Sequence, residues 1–366
     1  MLNGNIISVL EDFAPVWLQE QWDNSGLQCG SRRAECTGVL LCVDVTPAVV
    51  AEAVERGCNL IISHHPLLFK GVKRLTPDSP QKEALMAAVK ADITVFSCHT
   101  PLDSARGGVS VRMLQRLGAR FRRVLSPLKE RKARITVTVV PETADAVRLA
   151  LLDLCSPAAT SRNSVSVSVH GQQMAYPLES ADDFINSVVT DTVTVSAVVD
   201  AETVDSFRGW LEENLLQAEF SSCKVTDVDY SIGLGAIGTF DTPLPLAQLL
   251  ERIKDAFSSP QLRASLAVSD NLSADEEMRI SRIAVCGGSG AEFIPAAMRC
   301  GAQLYLTSDV KYHDFVDYGT DFMLVDIGHF NSEECTKDIF YDVITKKIPN
   351  FAVYKSDSEK NPIIFL

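Results

Sequence analysis

The sequence predicts an α/β protein: two similar three-layer α/β halves facing each other, with a ferredoxin-like α+β domain inserted between them. Three observations carry this expectation. Short apolar, β-branched runs alternate with helix-length segments in both outer thirds, the pattern of parallel β-α-β units. The outer thirds also resemble each other. Arg56-Gly57-Cys58-Asn59-Leu60-Ile61-Ile62-Ser63 parallels Cys300-Gly301-Ala302-Gln303-Leu304-Tyr305-Leu306-Thr307, and His99-Thr100-Pro101-Leu102-Asp103 parallels His329-Phe330-Asn331-Ser332-Glu333. The middle has a different texture, with two β-α units of similar length beginning at Ile135 and Val193. The expected divisions are an N-terminal half at 1–126, an insert at 127–230 and a C-terminal half at 231–366.

In the first third, Gly38–Val45 reads as a strand. Thr46-Pro47 then supplies an N-cap and a first-turn proline, and Gly57 a stop, for a helix through Val49, Val50, Ala53 and Val54. Leu60–Ser63 is a second buried strand, Ser79-Pro80 starts another helix, and Ile93–Cys98 is a third strand. The last third repeats the plan. Strands are expected at Arg282–Cys286, Leu304–Thr307 and Met323–Ile327. Helices are expected at Glu292–Arg299, Lys311–Asp317 and, as one long element, Glu333–Lys346. In the middle, Pro127–Arg134 reads as a basic linker. Strands follow at Ile135–Val140, Val165–Val169, Val193–Val199 and Cys223–Tyr230, with helices at Thr143–Leu154 and Thr203–Leu216. His170, at a strand end before Gly171, reads as an exposed loop residue.

Bulk properties exclude several classes. The chain has 366 residues, 46 % apolar and 22 % charged, ordinary for a water-soluble globular protein. Its net charge of −13 argues against a surface built to bind nucleic acid, which needs clustered Lys and Arg. The ten cysteines include no C-x-x-C pair, and Cys42, Cys58, Cys98 and Cys286 lie in or beside apolar runs. They read as reduced core residues. Met1–Val9 has no basic stretch leading into an apolar core, and no run approaches the ~20 apolar residues of a membrane span. A cytoplasmic protein without a membrane partner is the expectation.

The histidines carry the chemistry. Only six are present, and four follow apolar strands: His64 and His65, His99, and His329. In parallel sheets, ligands bind beyond the carboxyl ends of the strands. Asp103 and Glu333 lie four residues after His99 and His329, so a helical turn would put each pair on one face. Adjacent histidines point different ways and touch two metals more easily than one. A set with two carboxylates, His64, His65, Asp103, His329 and Glu333, therefore fits a dinuclear centre, with cations ~3.5–4 Å apart, better than a lone zinc. The competing reading is a scatter of satisfied strand-end histidines. His99 is either a ligand or a residue that acts on a ligand or substrate by hydrogen bonding. His313 follows another strand and is either a site residue or an exposed helix histidine. Trp22-Asp23-Asn24-Ser25-Gly26-Leu27 reads as an Asx-type turn capped by a packed Trp. Gly287-Gly288-Ser289-Gly290 reads as either an anion cradle at a helix N-terminus or a plain tight turn.

These segments, with Gly107-Gly108-Val109, Gly233-Leu234-Gly235-Ala236-Ile237-Gly238 and Thr307-Ser308-Asp309-Val310-Lys311-Tyr312-His313, resemble the NIF-three-like dinuclear-metal-centre family, often labelled GTP cyclohydrolase 1 type 2 homologues. The resemblance spans both outer thirds in the family's order. It implies two related α/β halves, a toroidal homohexamer and two divalent cations held by His64, His65, Asp103, His329 and Glu333. Longer members carry an insert similar to PII and CutA proteins, and this chain has an insert at the same place. It departs from that pattern: the insert's glycine-rich turn, Phe-Arg-Pro stretch and His-Pro-Tyr-Glu-Glu motif are missing.

The expected function is a metal-dependent hydrolase acting on a small anionic or nucleotide-like substrate, with His99 or His313 as the proton carrier. By resemblance the reaction would be GTP ring opening with loss of C8 as formate. The alternatives are a phosphoesterase and a non-enzymatic metal-binding, regulatory or delivery protein. His-plus-carboxylate sites accept zinc, iron, manganese, cobalt or nickel, so the metal is left open.

Overall fold

Leu60-Ile61-Ile62-Ser63 is buried along its whole length, as expected of a central strand of a parallel sheet covered on both faces. The computed structural model describes residues 1–128, 132–155, 192–200, 203–215, 218–225 and 229–364. They divide into two compact units, Met1–Leu128 with Tyr230–Leu366, and Lys129–Asp229.

The strands in chain order are β1 (Gly26–Cys29), β2 (Val39–Cys42), β3 (Leu60–Ser63), β4 (Thr94–Ser97), β5 (Arg120–Pro127), β6 (Lys132–Val139), β7 (Val193–Asp200), β8 (Glu219–Val225), β9 (Gly233–Pro245), β10 (Arg263–Ala264), β11 (Arg279–Ser289), β12 (Leu304–Ser308), β13 (Met323–Asp326) and β14 (Val353–Lys355). The larger unit holds two mixed sheets, ordered β1-β4-β3-β2-β14 and β10-β13-β12-β11-β9-β5. Each is built on three parallel strands, β2-β3-β4 in one and β11-β12-β13 in the other, so the repeat seen in the sequence is a repeat of architecture. The sheets also exchange edges. β5 precedes the insert yet pairs with β9 of the second sheet, and β14 near the chain's end pairs with β2 of the first.

The strand period of two separates two layers of core. Leu41, Leu60 and Ile62 share one buried cluster with Val285, Leu306, Val325 and Phe340 from the other half. Their neighbours Leu40 and Ile61 face Val49, Val50, Ala84 and Ala88 of helices Pro47–Glu55 and Pro80–Lys90. Ala284, Tyr305 and Leu324 similarly face Ile294 and Ala297 of helix Ile294–Arg299. Each half is thus helix, sheet and shared core, and the two sheets face each other across that core. The caps act as their residue types require: Thr46 Oγ1 accepts from Val49 N–H at 3.3 Å, and Gly57 takes φ +68° just beyond the helix.

The expected long helix Glu333–Lys346 is two helices, His329–Glu333 and Thr336–Lys347. The first is held apart by its own buried polar side chains. Asn331 Nδ2 donates to the carbonyls of Phe257 and Ser258, and Ser332 Oγ accepts from Gly288 N–H. The expected linker is also shorter than 127–134, because β5 runs to Pro127 and β6 begins at Lys132.

In the smaller unit, β6 lies between β7 and β8 and runs antiparallel to both. Helices Ala144–Cys155 and Thr203–Asn214 bury Val147, Leu151, Phe207 and Leu211 against Ile135, Val137 and Val195. This is the three-strand, two-helix part of a ferredoxin-like unit. The expected strand Val165–Val169 and His170 lie outside the described residues.

The C-terminal segment is tied to the first half through Glu52. Its carboxylate accepts from the hydroxyls of Ser356 and Ser358 and from the backbone N–H of Asp357 and Ser358. Burial pushes the pKa of Glu52 up, but these donors outweigh it and hold the carboxyl at about 2, against an ordinary 4.5. The folded pKa is depressed, so the stabilisation is complete above the unfolded pKa and is lost as pH falls from about 4.5 to about 2. Glu52→Gln is expected to lower the urea midpoint at pH 7 by the equivalent of up to ~3 kcal/mol, with the difference from wild type shrinking towards pH 2. Equal losses at pH 7 and at pH 2.5 would show that packing, and not charge, is what Glu52 contributes.

Candidate metal centre

The histidines extend the ladders of the strands that precede them. His64 N–H donates to Cys42 O and His65 N–H to Val43 O, so β3 delivers both residues to the carboxyl edge of the first sheet in fixed register. Successive side chains of an extended chain diverge, and these two do. The His64 ring is fully buried, with Nδ1 3.1 Å from Cys98 O. The His65 ring turns outward, with Nδ1 2.9 Å from Asp44 Oδ1. Asp103 comes from the short helix Thr100–Ser104 after β4, and His329 and Glu333 from the equivalent helix after β13.

These residues converge around the Glu333 carboxylate. Oε1 lies 3.6 Å from His64 Nε2, which is 3.7 Å from Asp103 Oδ1. Oε2 lies 2.9 Å from both His65 Nε2 and His329 Nε2, and those nitrogens are 3.3 Å apart. Two overlapping groups of donors result, His65 with His329 and Glu333, and His64 with His65 and His99.

The buried atoms pose a question that the protein's own groups leave unanswered. His64 Nε2 and Asp103 Oδ1 are buried with no partner inside hydrogen-bond distance, although orphaned polar atoms in a dry interior are costly. Burial, and then the charge of Glu333, push the Asp103 carboxyl well above the usual range. Burial acts the same way on Glu333, but the imidazoles of His64, His329 and His65 around it overcome it and hold that carboxyl well below. Burial lowers His64 to about 4. It also works against His65 and His329, yet their carboxylate partners raise them to about 10 and about 9. Nitrogen and oxygen donors aimed at one small volume, with orphaned atoms among them, fit a divalent cation. The cluster could hold a metal ion.

Each outer histidine is oriented by a carboxylate behind it. Asp44 bonds Nδ1 of His65, and Asp309 lies 2.6 Å from Nδ1 of His329. Such partners fix the tautomer and leave Nε2 for a metal. Asp23 plays this part for His99, 2.9 Å from its Nδ1, and also accepts from Ser25 Oγ and from Thr100 N–H and Oγ1. Asp44 and Asp309 were missed as site residues in the sequence. The signal available was an Asp within two residues of the carboxyl end of a parallel strand. Asp309 adds a second mark, a φ of +55° that non-glycine residues seldom adopt.

The structure bears on three further readings. Trp22 is exposed and does not cap its turn by packing. His313 is exposed on helix Tyr312–Tyr318, its ring edge-on to Tyr312 at 5.4 Å. The Gly287–Gly290 loop backs the cluster: at Gly288, where φ is +65°, a Cβ would stand 2.2 Å from Glu333 Oε1. The cavity of about 390 Å³ beside this loop is lined by Glu292, Asp309, Asp314 and Lys311, a balance that disfavours an anion there.

Among the described residues, no helix is long and apolar enough to cross a membrane. The family described as Duf34/NIF3 (NGG1p interacting factor 3) matches residues 1–362. A Bacillus subtilis protein named GTP cyclohydrolase 1 type 2 homolog is 28 % identical over 388 residues, covering 100 % of this chain and 99 % of its own. One of the same name from Mycobacterium tuberculosis is 28 % identical over 342 residues, covering 90 % of this chain and 88 % of its own. The crystal structure of Staphylococcus aureus protein SA1388 aligns with a TM-score of 0.80 at 24 % identity, over 100 % of this chain and 99 % of that one. A Bacillus cereus protein related to NIF3 aligns at 0.72 with 25 % identity, over 100 % and 99 %. The α/β fold, the repeated halves and the match over nearly the whole sequence agree, and the chain belongs to the Duf34/NIF3 family.

Proposed function

We propose that this protein is a metal-dependent hydrolase with a dinuclear centre, acting on a nucleotide-like substrate. The observation that carries the reading is the division of the Glu333 carboxylate, with Oε1 towards His64, whose Nε2 also neighbours Asp103, and Oε2 towards His65 and His329. His65, His329 and Glu333 would hold one cation, and His64, Asp103 and Glu333 the other. Two divalent cations there would supply Lewis acidity towards water and towards an anionic substrate.

The chain's own groups account for the remaining tasks. Asp44 and Asp309 keep the two outer imidazoles presented through Nε2. Asp23 engages His99 through Nδ1, which leaves Nε2 as the nitrogen able to take and return a substrate proton. His99 stands 5.1 Å from the His64 ring and 5.4 Å from the His65 ring, centroid to centroid, within reach of a molecule seated on the cluster. We assign the proton to His99 in preference to His313.

The relatives' name points to a GTP cyclohydrolase, for which the family resemblance implies ring opening with release of formate, and the same centre suits phosphoester hydrolysis. Chromatography of GTP and of a phosphodiester panel, with zinc, iron, manganese, cobalt or nickel added, distinguishes the two. Formate from GTP is the expected product. No turnover in either panel by protein that holds its metal would contradict the hydrolase and favour a metal store, a delivery protein or a regulator working with the PII/CutA-like insert. The free, mostly buried thiols fit a reducing cytoplasm.

A toroidal homohexamer is part of this proposal. Light scattering at micromolar concentration should return a mass near six chains of 39.9 kDa. A monomer would remove the torus from the account and leave the cluster, which one chain supplies by itself.

A further inference from the structure

Two large aromatic side chains stand in water beside the cluster. Trp22 is 59 % exposed and Phe69 45 % exposed. Neither belongs to a loose end. Asn24 Nδ2 donates to Leu68 O at 2.6 Å, joining the Trp22 turn to the Phe69 segment. The neighbouring Asp23 is itself fixed by His99, Ser25 and Thr100. The Trp22 and Phe69 rings are 6.0 Å apart, centroid to centroid, and lie 5.7 and 6.5 Å from the His99 ring. His99 in turn meets His64 and His65 edge-on. The aromatic pair therefore begins one ring beyond the cluster.

The segment that follows Phe69 is Lys70-Gly71-Val72-Lys73-Arg74. It is exposed throughout and carries three positive charges and no acid, in a chain whose net charge is −13. Among the described residues, none of the three cations forms an ion pair. Flat apolar faces held beside unpaired cations are the combination that binds a base by stacking and its phosphate by charge.

We propose that Trp22 and Phe69, with Lys70, Lys73 and Arg74, form a subsite for a planar heteroaromatic ring that carries an anionic group. This rests on the reading of the cluster as a catalytic centre, and it names the part of the substrate held outside that centre. The ring lies against Trp22 and Phe69, next to His99, and the anion points away from the acidic cavity and towards the 70–74 segment. A sugar phosphate lacks the ring.

The test is ligand binding to the full chain. In a Trp17→Phe, Trp210→Phe background, the remaining Trp22 reports on this rim. Guanosine 5′-monophosphate is expected to quench it saturably, with ribose 5-phosphate binding at least tenfold more weakly. By calorimetry, Trp22→Leu should weaken guanosine 5′-monophosphate by roughly 5- to 150-fold, the equivalent of ~1–3 kcal/mol of stacking. Trp22→Phe should restore most of that. Replacing Lys70, Lys73 and Arg74 by Ser should weaken the nucleotide and leave guanosine unchanged. If Trp22→Leu fails to fold, Phe69→Ser takes its place. Equal affinity for ribose 5-phosphate and the nucleotide, or an unchanged affinity in folded Trp22→Leu and Phe69→Ser proteins, would overturn the proposal. So would Trp22 emission that follows protein concentration and ignores ligand, which would give the rim to a second copy of the chain. The two readings fail separately. A chain that binds the nucleotide through Trp22 but turns nothing over loses the hydrolase, and one that hydrolyses nucleotides regardless of Trp22 loses only the rim.

Discussion

Glu333→Gln is expected to deplete both cation positions while leaving the chain folded. Gln keeps the length of Glu333 and the space beside Gly288, but it removes the negative charge and one anionic ligand. Two cations ~3.5–4 Å apart repel strongly, and a shared carboxylate is what offsets that repulsion. Removing a partner that only orients a ligand costs ~10–100-fold in metal affinity, so if Glu333 bridges two cations as proposed, its loss should cost ~100-fold or more at both positions. His65→Ala should act chiefly on the position shared with His329, because Asp103 and His64 do not depend on it for the other. Metal content of each purified, folded variant checks both statements. Two cations per chain at unchanged affinity in the Glu333→Gln protein would mean that the carboxylate is not a bridge.

Gly288→Ala is expected to do nearly the same damage from outside the donor set. An alanine Cβ would lie 2.2 Å from Glu333 Oε1, on a backbone with φ +65° that side chains rarely adopt. Gly288 N–H also donates to Ser332 Oγ, next to Glu333. Either Glu333 leaves its place or the loop moves, and both break the alignment of Oε1 with His64. We expect loss of the second cation with an unfolding temperature lowered by only a few degrees, the backbone strain being ~1–2 kcal/mol. Calorimetric metal titration beside thermal unfolding separates the effects. Native metal binding by the alanine variant would show that Glu333 has room the geometry denies it.

The parts of this protein that could be read from its sequence are those where one physical requirement dominates. β3 and β12 open on the apolar runs Leu60–Ile62 and Leu304–Leu306 that a two-sided burial demands. Thr46-Pro47 and Ser79-Pro80 are unambiguous helix starts, with side-chain caps at Val49 and Lys82. The strand-end histidines with an acid four residues on were legible because a helical turn is the simplest way to aim both at one point. The edges were not. β10 has two residues and β14 three, too few for any periodicity. β5 opens with Arg120-Phe121-Arg122-Arg123, whose charges hide its alternation. The helix break before Thr336 depends on hydrogen bonds to Phe257, Ser258 and Gly288, distant in sequence. Asp44 and Asp309 escaped notice because an Asp after a strand reads first as a turn residue. Trp22 was expected to pack because large apolar residues usually do, and the structure leaves it in solvent.

The proposed hydrolase requires that one chain hold two cations around Glu333. The most direct measurement is elemental analysis of the full-length protein purified without added metal, followed by titration of the stripped protein to saturation. Saturation at two divalent cations per chain is expected, with occupancy falling at both positions in Glu333→Gln. Saturation at one cation, or a second cation that is indifferent to His64, Asp103 and Glu333, would contradict it.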